Sequence, residues 1–154
     1  MDGGHECKYS RGVQHIDGAA AVIDALRRTL ACEPHLRWAY LFGSAQRGGS
    51  YRDVDVAVMP AQSMPAGAVA WGQLVTRLEA AVHAKVDLVD LQLPNLPFVG
   101  PMLEARVVVL DREPEARHAF EADTTSRWLD FRPAYEEANR IRSLAMQRRL
   151  RGAR

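Results

Sequence analysis

Two aspartates separated by one residue are the feature of this sequence best suited to chemistry. Asp53 and Asp55 lie in a segment that alternates strictly between valine and other residues, which predicts a strand with both carboxylates on one face. Aspartate is uncommon in strands, and a carboxylate near apolar groups is costly unless it is paired or coordinates a metal. Because such residues point the same way with Cα atoms about 6.6 Å apart, the spacing predicts a Mg²⁺ site.

A glycine-serine turn upstream of these aspartates predicts a phosphate site. Gly43 and Ser44 follow the apolar segment Leu36–Phe42, and we expect the turn to lead into a short helix through Arg47. A glycine lets a phosphate approach the backbone, while free amides, the serine hydroxyl and the arginine can bind phosphate oxygens. The phosphate site and the metal carboxylates would then lie close together in sequence.

Two familiar phosphate loops do not fit the same stretch. The run Gly43–Ser50 has the glycine spacing of a Walker A loop, but Gly49 stands where the phosphate-binding lysine is required. The segment also lacks the G-x-G-x-x-G pattern of dinucleotide-binding folds. Both alternatives therefore fail at a residue that their chemistry needs.

The elements that must position these residues form a small α+β pattern. Apolar spacing predicts a first helix over residues 19–30, capped by Asp17, and a second over residues 71–82. The predicted strands are Leu36–Phe42, Asp53–Met59, Lys85–Leu91 and Arg106–Leu110. We expect a mixed sheet of about four strands with helices packed on one face, followed by C-terminal helices.

Prolines guide the prediction for the second half of the chain. Pro94, Pro97 and Pro101 predict a loop after the third strand. From Glu115 onward the chain is predicted to be helical, with a break near Pro133, where proline suits the first turn of a new helix. The last arginines would complement the negative end of that helix or contact a partner, and both readings stay open.

Composition sets the bounds on domain number and class. The chain has 154 residues, 47% of them apolar, which is enough for one core and too little for two. We expect a flexible N-terminus over residues 1–14 and a single domain with a C-terminal helical extension over residues 15–154. With 20 basic and 19 acidic residues, the formal net charge is +1, so strong direct binding to nucleic acid is not expected.

The location of the protein follows from what the sequence lacks. Met1–Gln14 is polar and has no apolar signal core, and nowhere do about 18 apolar residues run together to span a bilayer. Cys7 and Cys32 are far apart and outside any metal-ligand spacing, which predicts neither a disulfide framework nor a zinc site. These features indicate a cytoplasmic protein that does not associate with membranes.

The motifs together resemble the signature of the polymerase-beta-type nucleotidyltransferases. The resemblance is carried by Phe42-Gly43-Ser44, Arg47-Gly48, Asp53-Val54-Asp55 and Val86-Asp87-Leu88-Val89-Asp90-Leu91. It implies that Gly43 and Ser44 hold a nucleoside triphosphate and that Asp53 and Asp55 bind two Mg²⁺ ions. It further implies that Asp87 is the third carboxylate, which binds the catalytic metal and helps to deprotonate the acceptor hydroxyl. Asp90 should face the opposite side of its strand.

Within that superfamily the chain is most similar to the small MNT proteins. The segment Trp128–Tyr135 looks like the C-terminal helix region of the MntA antitoxin branch, whose partners are HEPN-type toxins. This resemblance implies an adenylyltransferase that moves AMP from ATP to a tyrosine hydroxyl of a cognate HEPN ribonuclease, and an oligomer within the toxin complex. The alternatives are an enzyme that modifies a small-molecule hydroxyl and an antitoxin that acts by binding alone.

Two departures from the family pattern lie in the phosphate loop. The spacer between Ser44 and Asp53 is eight residues, shorter than in many relatives. Arg52 also stands where serine commonly precedes the first aspartate. The three carboxylates are retained, so the departures concern the loop and the choice of nucleotide.

Overall fold

The computed structural model describes residues 18–47, 52–61, 67–93 and 95–152. The predicted flexible segment 1–14 and the predicted cap Asp17 lie outside these residues, and Gly18 holds the N-cap position of the first helix. The elements are α1 Ala19–Ala31, β1 Leu36–Phe42, a 3-10 helix Ala45–Arg47, β2 Asp53–Pro60, α2 Ala68–Val82, β3 Lys85–Asp90, α3 Leu96–Glu104, β4 Val107–Asp111 and α4 Pro114–Gly152.

The four strands form one mixed sheet in the order β3-β2-β1-β4. β1 pairs antiparallel with both β2 and β4, while β2 and β3 run parallel. Parallel neighbours need a crossover connection, and α2 supplies it here. The predicted α+β class and four-stranded mixed sheet are confirmed.

The core lies between one face of the sheet and the helices α1 and α2. The valines of β2 that alternate with the aspartates are fully buried there, as the alternation predicts. They pack in one cluster with the apolar stripes of the two helices, which include Val22, Leu26, Leu30, Leu74, Leu78 and Val82. This burial sets the facing of β2 and therefore turns Asp53 and Asp55 away from the core.

The other face of β2 is partly open only where the strand begins. Asp53 and Asp55 are half-buried, whereas every residue from Val56 to Pro60 is buried. Ala57, which shares the face of the aspartates, has no exposed surface at all. Solvent and ligands can therefore reach the first two positions of that face, where the carboxylates stand.

The chain divides into two compact units. The first contains the sheet with α1 and α2, and its last segment is Ala105–Glu113; the second consists of Leu93–Glu104 and Pro114–Arg154, with α3 and α4. Within the second unit the indole of Trp128 packs against Gly100, and its Nε1 donates to Glu104 Oε1 at 3.2 Å. The predicted single domain over residues 15–154 stays a prediction.

Two predictions made from prolines are wrong. Pro133 does not break the helix, because α4 is continuous over 39 residues. Pro97 and Pro101 lie in α3 rather than in a loop. A proline in the first turn removes an N–H that has no helical partner, and one further inside removes a single hydrogen bond. Pro101 and Pro133 are exposed, so water can reach the carbonyl groups that they leave without a donor.

The prediction that the cysteines form no disulfide is also wrong. Cys32 is disulfide-bonded, and its partner lies outside the described residues. The distance between the two cysteines in the sequence does not show how close they are in the fold. It excludes only metal sites whose ligands lie close together in the sequence. Over the described ranges, no helix combines the length and apolar character needed to cross a bilayer.

Candidate active site

Parallel pairing brings the three predicted carboxylates together. Asp55 is the register partner of Asp87, and Asp53 is the partner of Lys85. Paired residues of adjacent strands share a face, and so do residues two apart on one strand. The four side chains therefore form a small grid at the start of β2 and β3, with three acidic members and one basic member.

The turn after β1 is fitted to one of these carboxylates. Gly43 has a φ of +73°, a conformation that side-chain-bearing residues rarely adopt. A Cβ added at this position would overlap Asp55 Oδ2. Glycine is therefore required here for two reasons, the backbone conformation and the close approach of the aspartate.

The residues after Gly43 form the short helix that the sequence predicts. Ala45–Arg47 is a single 3-10 turn, and the backbone N–H of Arg47 donates to Ser44 O at 3.2 Å. Ala45 is fully buried and anchors the turn, while Ser44 and Arg47 are exposed. The turn thus presents a hydroxyl and a guanidinium group to solvent, and Gly48–Ser50 lie outside the described residues.

Asp55 lies in surroundings that disfavour its charged form. The pKa of Asp55 is raised, first because burial removes water from its carboxyl group, and then because Asp87 and Asp53 are negative neighbours. A group that resists ionisation between two like charges would gain from a bound cation.

Lys85 is the member of the grid that sequence reasoning missed. Its Nζ lies 3.1 Å from Asp87 Oδ1, and this hydrogen bond raises the pKa of the lysine. The alternation that placed two aspartates on one face of β2 also applies to β3, where Lys85 and Asp87 are two residues apart. Alternation in the sequence therefore places the lysine on the face of Asp87, although the lysine was not predicted as a site residue.

The donor set fits Mg²⁺, although the side chains are not closed around an ion. Mg²⁺ is a hard cation that is bound through carboxylate oxygens, water and substrate phosphates, and the grid supplies three carboxylates. Within the described part of the chain, no three acidic, histidine or cysteine side chains are close enough as they stand to hold a metal ion. Asp87 Oδ1 lies 3.1 Å from Lys85 Nζ, so the third carboxylate is paired with a lysine as it stands.

Asp90 has a different and local role at the end of the same strand. It is three positions after Asp87, so the two side chains point to opposite faces of β3. Its Oδ1 accepts a hydrogen bond from the backbone N–H of Gln92 at 2.8 Å, which stabilises the turn that follows the strand. This contact gives Asp90 a structural role at the end of the strand.

Family comparison identifies the class of protein that this fold and site define. The family model for polymerase beta nucleotidyltransferases matches residues 24–115, which include the sheet, the glycine-serine turn and all three carboxylates. The matched region is more than half of the chain. The chain belongs to the polymerase beta nucleotidyltransferase family.

One known relative is similar to part of the chain. The chain is 39% identical over 61 residues to the protein adenylyltransferase MntA of Shewanella oneidensis, a match that covers 38% of this chain and 42% of the relative. The matched part thus spans less than half of the relative's length.

Solved structures of toxin-antitoxin complexes share the fold over most of the chain. One is a tri-AMPylated Shewanella oneidensis HEPN toxin in complex with an MNT antitoxin, with a TM-score of 0.56 and 25% identity over 82% of this chain and 95% of that chain. Another is a toxin-antitoxin structure with AMP-PNP, with a TM-score of 0.56 and 23% identity over 83% of this chain and 98% of that chain.

Proposed function

We propose that this chain is an adenylyltransferase antitoxin, which transfers AMP from ATP to a tyrosine hydroxyl of a cognate HEPN ribonuclease toxin and so neutralises it. The observation that carries the proposal is the convergence of Gly43, Asp53, Asp55 and Asp87 at the open end of one sheet face. The similarity to MntA and to an AMPylated toxin complex supports the choice of adenylate and of a protein acceptor.

The site residues would divide the work of the transfer. Gly43 and Ser44 hold the triphosphate, and Arg47 adds a cation beside it. Asp53 and Asp55 would hold two Mg²⁺ ions, and Asp87 would supply the third carboxylate. Bound Mg²⁺ supplies charge stabilisation for the acceptor oxygen and for the leaving pyrophosphate.

The bond changes follow from in-line phosphoryl chemistry. The acceptor oxygen forms a bond to the α-phosphorus of ATP as the bond between the α-phosphorus and the oxygen that links it to the β-phosphate breaks, and that oxygen leaves with pyrophosphate. The proton of the hydroxyl passes toward Asp87, which stands at the exposed edge of the grid. The products are an AMP ester of the acceptor and pyrophosphate.

The acceptor protein would be held partly by α4. Every described residue from Arg140 to Arg151 is exposed, and the exposed apolar side chains there are Ile141, Leu144, Met146 and Leu150. This stretch contains five arginines and no acidic residue, so it suits an acidic and partly apolar partner surface. The Pro94–Pro101 region is the second candidate surface. We also propose an oligomer within the toxin complex and a cytoplasmic location, where ATP is supplied.

Intact-mass spectrometry tests the proposed reaction. A candidate HEPN partner would be incubated with this protein, Mg²⁺ and each of the four ribonucleoside triphosphates. We expect a mass gain of one or more AMP groups with ATP, and none with the Asp53→Asn, Asp55→Asn double variant. Asp90→Asn is the matched control, because it removes a carboxylate from the opposite face of β3.

The alternative functions give different outcomes. If wild type and double variant bind the partner equally and neither adds mass, the chain is an antitoxin that acts by binding. Mass gain on a small hydroxyl compound but on no protein would favour the small-molecule enzyme. Either result contradicts the proposed function.

A further inference from the structure

Lys85 stands within the acidic grid and satisfies one of its carboxylates. Its Nζ is 3.1 Å from Asp87 Oδ1, and its backbone is in register with Asp53 on the neighbouring strand. Both of its grid neighbours are therefore carboxylates.

The position of β3 makes this ion pair easy to open. β3 is an edge strand of the sheet, and the side chains of Lys85 and Asp87 are 65% and 51% exposed. An exposed lysine loses little when it leaves its partner, because water replaces the contact and the pair itself contributes little to stability. The lysine can swing out without disturbing the core.

A divalent cation and the lysine would compete for the same oxygen. Asp87 has to turn away from Lys85 to join Asp53 and Asp55, and an ammonium group left beside the site would repel the incoming ion. Without a metal, however, the lysine offsets part of the repulsion among the three carboxylates. The same residue thus compensates negative charge in the metal-free protein and weakens its metal affinity.

We infer that Lys85 is the counter-ion of Asp87 in the metal-free protein and that this ion pair opens when a divalent cation binds. Lys85 is thus a positioning residue, which acts through Asp87. The inference rests on the proposed function, since the metal site belongs to it.

Mn²⁺ binding to the whole chain tests the inference without any enzymatic assay. Dissociation constants would be measured by calorimetry and by the electron paramagnetic resonance signal of free Mn²⁺ for wild type, Lys85→Met, Lys85→Arg and Arg28→Met. We expect Lys85→Met to bind Mn²⁺ about three- to tenfold more tightly, because the competing positive charge is removed. Lys85→Arg should stay near wild type, because it keeps the charge.

Arg28→Met is the matched control for net charge. Arg28 is exposed on α1, so its loss changes the total charge equally but should leave Mn²⁺ affinity within about twofold of wild type. Unchanged or weaker Mn²⁺ binding by Lys85→Met, or an equal gain in Arg28→Met, would overturn the inference. If wild type and all variants fail to bind Mn²⁺, the metal site of the proposed function is wrong instead.

Discussion

At the scale of single residues, Gly43 and Asp55 constrain one another. A Cβ at position 43 would overlap the Asp55 carboxylate, and the φ of +73° already disfavours any side chain. We expect Gly43→Ala to displace Asp55 and to lower adenylyl transfer by about 100-fold, the range for a misplacement of about 1 Å. The measurement is the rate of AMP transfer under saturating ATP.

Gly18 provides the control for that variant. It also has a positive φ, of +98°, but nothing lies within 4 Å of an added Cβ. Gly18→Ala should therefore lower the melting temperature through backbone strain and leave the transfer rate near wild type. Equal activity in the two alanine variants would contradict the proposed coupling between position 43 and the carboxylate.

Asp55 should impose a stability cost on the metal-free protein. Its pKa is raised in the fold by burial, by Asp87 and by Asp53, so the folded state disfavours its charged form. We expect Asp55→Asn to raise the melting temperature measured in chelator, because asparagine carries no charge that burial and the two neighbouring carboxylates disfavour. The same variant should lose adenylyl transfer.

The pH dependence of that cost has a definite sign. Because the folded state binds the Asp55 proton more tightly than the unfolded state, the difference in melting temperature between Asp55→Asn and wild type should shrink as the pH falls through the raised pKa. A difference that grows on acidification would show that Asp55 is stabilised, rather than strained, by its neighbours.

At the scale of elements, two glycines in helices should respond oppositely to alanine. An added Cβ at Gly100 in α3 would overlap the indole of Trp128, whereas nothing lies near Gly72 in α2. We expect Gly100→Ala to destabilise the fold by about 1–3 kcal/mol. Gly72→Ala should stabilise it by about 1 kcal/mol through helix propensity.

Thermal or chemical denaturation followed by circular dichroism measures both changes. The two variants distinguish the effect of packing on stability from that of helix propensity, because both replace a helical glycine with alanine and only one of them adds a steric overlap. A Gly100→Ala variant that is as stable as wild type would mean that α3 and α4 can move apart at little cost.

The elements most readable from the sequence are those fixed by local pattern. Leu36–Phe42 has the predicted bounds, and β2 differs from its prediction by one residue, because alternation and turn residues are local signals. The sequence predicted breaks at prolines that the helices in fact contain. A helix tolerates Pro101 and Pro133 because water can reach the carbonyl groups that lose their hydrogen-bond donor, and local pattern does not show this exposure. Alternation in β3 places Lys85 and Asp87 on one face, but whether the two side chains touch could not be predicted, because the contact depends on side-chain rotamers.

At the scale of the whole molecule, we expect the end of α4 to be dispensable for folding. The helix has 39 residues, or about 58 Å at about 1.5 Å per residue, and its described residues from Arg140 to Arg151 are exposed. A chain ending at Asn139 should melt within about 2 °C of the full chain, as for other surface changes. Gel filtration with the candidate partner should show loss of the complex.

Retention of a fully stable complex by the shortened chain would place the partner surface elsewhere, with the Pro94–Pro101 region as the next candidate. A large drop in melting temperature would instead show that residues 140–152 pack onto the chain in solution.

The close approach of Gly43 and Asp55 also constrains how the two positions can evolve. While the carboxylate is needed, any mutation that adds a side chain at position 43 is selected against, because it damages catalysis and backbone together. In a lineage that gives up catalysis and loses the aspartate, the steric requirement for glycine disappears, and asparagine or aspartate can enter a turn of positive φ. Glycine at position 43 and aspartate at position 55 should therefore be lost together among relatives. Relatives that lack both residues should lack enzymatic activity.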